Sequence, residues 1–243
     1  MDCKNCGNTF TGKFCNNCGQ PANTHRLDLH FLWHDIQHGL FHFDEGILYS
    51  FKQLFTRPGH SIREFIEGKR ARHFKPISMA IILAVTYGLL YHNFGIDTTK
   101  PFITPQNQSV NYAAYNEWMA MHFSWITLAS IPLYTLGTFV CFRNQGYIFI
   151  EYFILNTFKA SQRLFVHLAT FPALLYYSGT SHMKTMLAVF YLTDILLGFI
   201  TNVQFFNHLP VGTTILRSIG SHLVFLCSAF IVACFGLMLF GYV

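Results

Sequence analysis

Charge is scarce in this chain. Only 11% of its 243 residues are Asp, Glu, Lys or Arg, against about 25% in an ordinary soluble domain. That scarcity argues against a single water-soluble core. The charge is also uneven: residues 1–75 hold ten Lys/Arg and seven Asp/Glu, whereas 76–243 hold six and four. No internal repeat is evident, and an odd number of expected spans argues against two transporter-like halves. No His-Glu-x-x-His and no nucleophile motif links His122, Glu151, His167, Asp194 and His222, so no catalytic residue is assigned. Met1-Asp2-Cys3 opens on an acid ahead of a polar stretch, not an apolar h-region, and no cleaved leader is expected.

Apolar surface fills the space that charge leaves. Of the residues, 52% are hydrophobic, with 27 Phe and 12 Tyr. The organising stretch is Lys69–Phe94. A basic threshold, Lys69-Arg70-Ala71-Arg72-His73-Phe74-Lys75, leads to Pro76, and Ile77–Phe94 then has no acid, Lys or Arg. From Pro76 this makes about 19 residues, enough for a helix to cross a bilayer core. Cations beside an apolar span stay in the cytoplasm. Further spans are expected at Met121–Phe142, Thr185–Phe206 and Ile219–Val243. Ile148–Tyr177 is long and half polar, either one long tilted helix or a surface helix before a short crossing. About five spans place the N-terminus inside. Small residues Ala80, Ala84 and Gly88 recur every four positions, a spacing that lets helices approach closely.

The first 23 residues carry Cys3-x2-Cys6-x8-Cys15-x2-Cys18. Thiolates in two tight turns complete a tetrahedron around one ion, zinc or on spacing alone iron. Gly7 and Gly19 supply the turns. The remainder is too polar to fold around a core, so metal would supply the folding energy. Four cysteines leave no open coordination position, which makes the site structural. Lys4 and Lys13 against Asp2 provide no basic footprint, so no nucleic acid is expected. The other cysteines, Cys141, Cys227 and Cys234, fall in spans and are expected to pack as small buried hydrophobes. Cys227 and Cys234 lie about 10 Å apart along one helix, too far for a disulfide.

Residues 24–75 read as short amphipathic helices, lying on the bilayer surface or packed on the ends of the spans. Thr24 is a cap for a helix to Phe43 that puts His30, His34, His38 and His42 on one face. That stripe is a metal or pH site or a solvated polar face. Ile47, Leu48, Phe51, Leu54 and Phe55 mark a second helix. Ser61-x-x-Glu64 reads as a capping box for a third, stopped at Gly68. Arg57, Lys69, Arg70, Arg72 and Lys75 form a basic membrane-surface group. In the bundle, Glu151, Lys159, Arg163 and His167 recur at multiples of four. Asp194, in mid-span, is expected to pair with Lys159 or Arg163. Polar stripes in membrane helices line a wet interior or snorkel to the interface.

The Cys-x2-Cys pairs are followed by Arg57-Pro58-Gly59, Ile62-Arg63-Glu64-Phe65, Gly68-Lys69-Arg70 and Phe74-Lys75-Pro76, then several spans. This order resembles an uncharacterised family of bacterial multi-pass membrane proteins with an N-terminal zinc ribbon. The resemblance implies membrane location and zinc, and carries no agreed activity. Members of that family often have His after the acid at the Glu151 position. Here Tyr152 stands there, which weakens a metal site on that helix. The resulting expectation is an all-α integral membrane protein in three parts: a four-cysteine zinc ribbon over 1–23, interfacial helices over 24–75 and a bundle over 76–243. Two functions fit it. One is a non-enzymatic scaffold or regulator in the bacterial inner membrane, its head recruiting a cytoplasmic protein partner. The other is a transporter or lipid-handling subunit, in an oligomer, with Glu151, Lys159, Arg163 and Asp194 along a polar path.

Overall fold

Helices with apolar faces must bury them in one another or in lipid, and this chain does both. The computed structural model describes residues 1–24, 27–28, 46–103 and 111–239, the last four as backbone. The helix expected from Thr24 to Phe43, with its His stripe, lies outside the described residues. Among the described residues, eight α-helices follow the head: α1 (Gly46–Thr56), α2 (Pro58–Glu67), α3 (Pro76–Asn93), α4 (Tyr112–Cys141), α5 (Phe149–Ala169), α6 (Phe171–Tyr177), α7 (Met183–Phe205) and α8 (Val211–Leu239). The same residues contain no named strand, only the isolated bridges Asp2–Thr9 and Phe14–Pro21 in the head.

Four helices, α3, α4, α7 and α8, are long and apolar enough to cross a membrane. The chain nevertheless traverses the bundle five times. At the end near the head, the Tyr152 hydroxyl donates to Phe142 O at 2.5 Å, and Tyr147 packs on Phe205, ring centroids 4.8 Å apart. These contacts join the end of α4, the start of α5 and the end of α7. At the far end, the Asp97 amide donates to Ser178 Oγ at 2.8 Å and the Gly179 amide to Asp97 O at 2.9 Å. These join the exits of α3 and α6. So α5 and α6 together make the third traverse, broken at Thr170 because Pro172 falls in the first turn of α6 and cannot donate. Ile148–Tyr177 is thus neither one helix nor a surface helix with a short span. α5 is the bundle's interior: Ile154, Leu155, Phe158 and Ser161 are all 0–1% exposed, enclosed by α3, α4 and α7 with α1 and α2 at its near end.

Small residues decide the close crossings. Ala80 and Ala84 are buried, and Ser124 Oγ donates to Ala84 O at 2.9 Å, as the four-residue stripe predicts. A Cβ on Gly88 would stand 2.3 Å from that same Oγ. At Gly59 a Cβ would stand 2.2 Å from Phe205 N and 2.4 Å from Thr201 O, so α2 meets α7 backbone to backbone there. The outer faces of α7 and α8 carry Leu192, Leu196, Ile200, Leu216, Leu223 and Phe230 exposed. In water such a band would be unstable, and in lipid it is solvated.

The two described collar helices divide the expected alternatives between them. α2 buries Ile62, Phe65 and Ile66 in the main core. α1 buries Leu54 but leaves Leu48 74% exposed, with Phe51 and Phe55 also exposed, an apolar face suited to the interface. Ser61 is not a cap: α2 begins at Pro58, three residues earlier, because proline's fixed φ suits the first helical position. Ser61 Oγ lies instead 3.3 Å from His73 Nε2. Gly68 ends α2 as expected, at φ 112°. The bundle cysteines correct another expectation: Cys227 is exposed and Cys141 and Cys234 are half-buried, because their helices face lipid.

Candidate functional site

The head is two copies of one turn. The Cys3 amide donates to Asn8 O and the Gly7 amide to Cys3 O. Twelve positions on, Cys15 donates to Gln20 O and Gly19 to Cys15 O, all at 2.9–3.0 Å. Gly7 and Gly19 take φ of 73° and 72°, where a Cβ would be strained. The four Sγ atoms lie within 4.8 Å of one another, with Cys3–Cys18 at 3.5 Å and Cys6–Cys15 at 3.7 Å. Sulfurs about 2.3 Å from one tetrahedral ion sit about 3.8 Å apart, so the set fits a single metal. Burial would raise the Cys15 thiol, but the Asn17 and Cys18 amides outweigh it and hold it at about 6. The Cys6 amide pulls Cys3 down, yet burial and the neighbouring Cys18 and Cys6 sulfurs push it up to about 11. Thiols this crowded cannot all ionise without a cation between them.

The head is docked, not tethered. Gln20, 1% exposed, donates to Gly68 O at 2.7 Å and accepts from the Arg70 and Ala71 amides at 3.0 and 3.1 Å. Lys4 Nζ donates to Thr24 O at 2.9 Å. The basic group divides in consequence. Arg70 turns inward, donating to Phe65 O at 3.1 Å, and burial lowers its pKa. Arg57 and Lys69 grip Glu64 at 2.7 and 3.4 Å. Burial would raise the Glu64 carboxyl, but these two cations together outweigh it and hold the group below the usual range.

The bundle holds a cavity of about 140 Å³ among α4, α5, α7 and α8. Lys159, Arg163 and Asp194 line it, together with Tyr191, Asn202 and His222. Lys159 Nζ donates to Asn202 Oδ1 at 3.3 Å, and Asn202 Nδ2 to Ser218 Oγ at 2.9 Å. Arg163 stacks over Tyr134, 5.2 Å from the ring centre. The Tyr191 hydroxyl meets His222 Nε2 at 2.6 Å.

A family model described as "Protein of unknown function (DUF3667)" matches residues 44–88. No curated protein and no solved structure matches the chain. The matched stretch spans α1, α2, the basic threshold and most of α3. It includes Gly59, whose missing Cβ seats α2 on α7, and Arg63, which donates to Phe205 O at 3.1 Å and to Asn207 Oδ1.

Two sequence expectations for the cavity need correction. Asp194 does not pair with Lys159 or Arg163: its neighbour is His167, Oδ1 to Nε2 at 3.2 Å, in an alignment that leaves both atoms without a hydrogen bond among the described residues. His167 is held there by stacking on Phe190 at 4.9 Å. Glu151 is not in the cavity either. Its carboxylate accepts from the Ile148 amide at 2.9 Å and caps α5, about 12 Å along the helix from Lys159. Asn202, Ser218 and Ser221 were missed; Ser218 and Ser221, three apart on one helix, were the available signal.

Proposed function

We propose that this protein is a multi-pass membrane subunit that takes a small anionic group into the cavity between α4, α5, α7 and α8, as a transporter or lipid-handling component. One observation carries the reading. Lys159 and Arg163 line the cavity, and among the described residues neither has a carboxylate within ion-pair distance. A cation held away from water is costly unless paired, so an anion is the ligand this cavity stabilises best. Asn202, Ser218 and the Tyr191–His222 pair supply hydrogen-bonding groups around it. Zinc is the metal that four cysteines at tetrahedral spacing fit best. The head side carries Arg57, Arg63, Lys69, Arg70, Arg72, Lys75, Arg143 and Arg217, against Lys100 and Lys184 at the far end, which supports a cytoplasmic head in a bacterial inner membrane.

The test is thermal melting of the detergent-purified chain in chloride, sulfate and phosphate. The expected result is an anion-dependent rise in Tm that Lys159→Met removes, together with loss of anion flux from liposomes in Asp194→Asn. If no anion shifts Tm, the reading is wrong. The second reading, a scaffold recruiting a cytoplasmic partner, is favoured by Phe14, 63% exposed on the head. In-cell crosslinking checks it, since exchanging Cys15 and Cys18 for Ser should release such a partner.

A further inference from the structure

A second cleft lies where the head meets the collar, outside the bundle. It encloses about 350 Å³ and is lined by Asn5 and Cys6 of the head, Tyr49 of α1, Arg57 and Glu64 at α2, and Lys69, Arg72 and His73 of the threshold. Three cations, Arg57, Lys69 and Arg72, meet one carboxylate there. Glu64 spans two of them, Arg57 at 2.7 Å and Lys69 at 3.4 Å, so their positions are set before any ligand arrives. Arg72 has no ion pair among the described residues and is exposed. Beneath it His73 packs edge-on against Tyr49 at 5.0 Å and Phe65 at 5.6 Å. Its Nδ1 is buried with no hydrogen-bond partner among the described residues, an orphan that asks for an explanation.

We propose that this cleft binds a phosphate group, presented by a lipid head group or as the free ion, and that the metal turn of the head forms one of its walls. Arginine forks match phosphate oxygens, and the surplus of positive charge survives the Glu64 pairs. The cleft stands immediately before Pro76, where the first span leaves the bilayer and lipid phosphates lie. The head's dependence on metal becomes the cleft's dependence. Cys6 is both a metal ligand and a wall residue, and Gln20 fixes the head to residues 68–71, the stretch of chain that carries Lys69 and leads to Arg72.

The experiment is native mass spectrometry of the full chain released from detergent. The probes are phosphatidic acid, phosphatidylcholine as the control, and inorganic phosphate as competitor. Phosphatidic acid should be retained over phosphatidylcholine. The double variant Lys69→Gln with Arg72→Gln should weaken that retention by about tenfold or more, as expected for lost charge-assisted contacts, with metal content unchanged. Gln20→Ala should weaken it while leaving the basic residues in place. Displacement by millimolar inorganic phosphate identifies the free ion as sufficient, and resistance to it identifies the lipid. Equal retention of the two lipids with no phosphate adduct, or undiminished phosphatidic acid binding in the double variant, overturns the proposal.

Discussion

The head and the bundle both gather like charge in a small space, and they resolve it in opposite ways. In the head, four sulfurs converge within 4.8 Å of one another, close enough to hold one cation between them. In the bundle, Lys159 and Arg163 converge on a cavity with Asp194 turned aside to His167. Four thiolates on one ion would leave the first no open position. The second is open, and among the described residues neither cation has a carboxylate within ion-pair distance.

The largest effect expected from probing this contrast is in the head. Cys15→Ser with Cys18→Ser should remove the metal and unfold residues 1–24, a loss on the order of 10 kcal/mol of metal-linked folding energy. Metal analysis and proteolysis ahead of α1 would show it, and the bundle's melting should barely move. Gly59→Ala should cost about 3 kcal/mol or more, because the new Cβ meets backbone that cannot swing away. Here the bundle's Tm falls while metal content holds. If both regions respond to either change, they are one cooperative unit and the contrast fails.

Acid probes the seam between them. Burial lowers His73 from 6.5 to about 4, with Glu64 opposing and Arg57 assisting. A depressed pKa means the unfolded chain binds the proton more readily, so this contribution is complete above pH 6.5 and is lost as pH falls toward 4. It amounts to roughly 2 kcal/mol once partial exposure is discounted. Tm against pH should flatten over that window in His73→Phe.

Lys159→Met should raise bundle stability by about 1.5 kcal/mol while abolishing anion binding, since replacing a half-buried cation that has no carboxylate partner with an apolar chain relieves desolvation. A loss of stability instead would mean that the ammonium is compensated, and would erase the distinction from the head. Gln20→Ala is the gentlest test, costing about 1 kcal/mol and read as faster hydrogen exchange at Arg70 and Ala71.

The sequence disclosed these regions unequally. The head was legible down to its ligands, because a Cys-x2-Cys turn is local and its chemistry needs no distant partner. The spans were legible as apolar runs, and the Ala80–Ala84–Gly88 stripe forecast a real crossing. The partner of Asp194 was not legible. Lys159 and Arg163 were nearer in charge logic, but the rotation of α5 aims His167 at α7 instead. Gln20 was not legible as an anchor either, because an exposed turn and a buried latch have the same composition. Ser61 and Glu64 matched a capping box by spacing alone, and a proline three residues earlier displaced it.

The enclosure of α5 bears on how the molecule is made. A ribosome delivers this segment before α7 and α8 exist. Alone, its Lys159 and Arg163 would each cost about 3 kcal/mol at mid-bilayer. Partitioning by itself therefore cannot drive the third traverse. It must be escorted by α3 and α4, or wait at the surface until the last two helices arrive to shelter it. Truncation after Tyr177 should strand nascent chains with α5 accessible to water-borne labels.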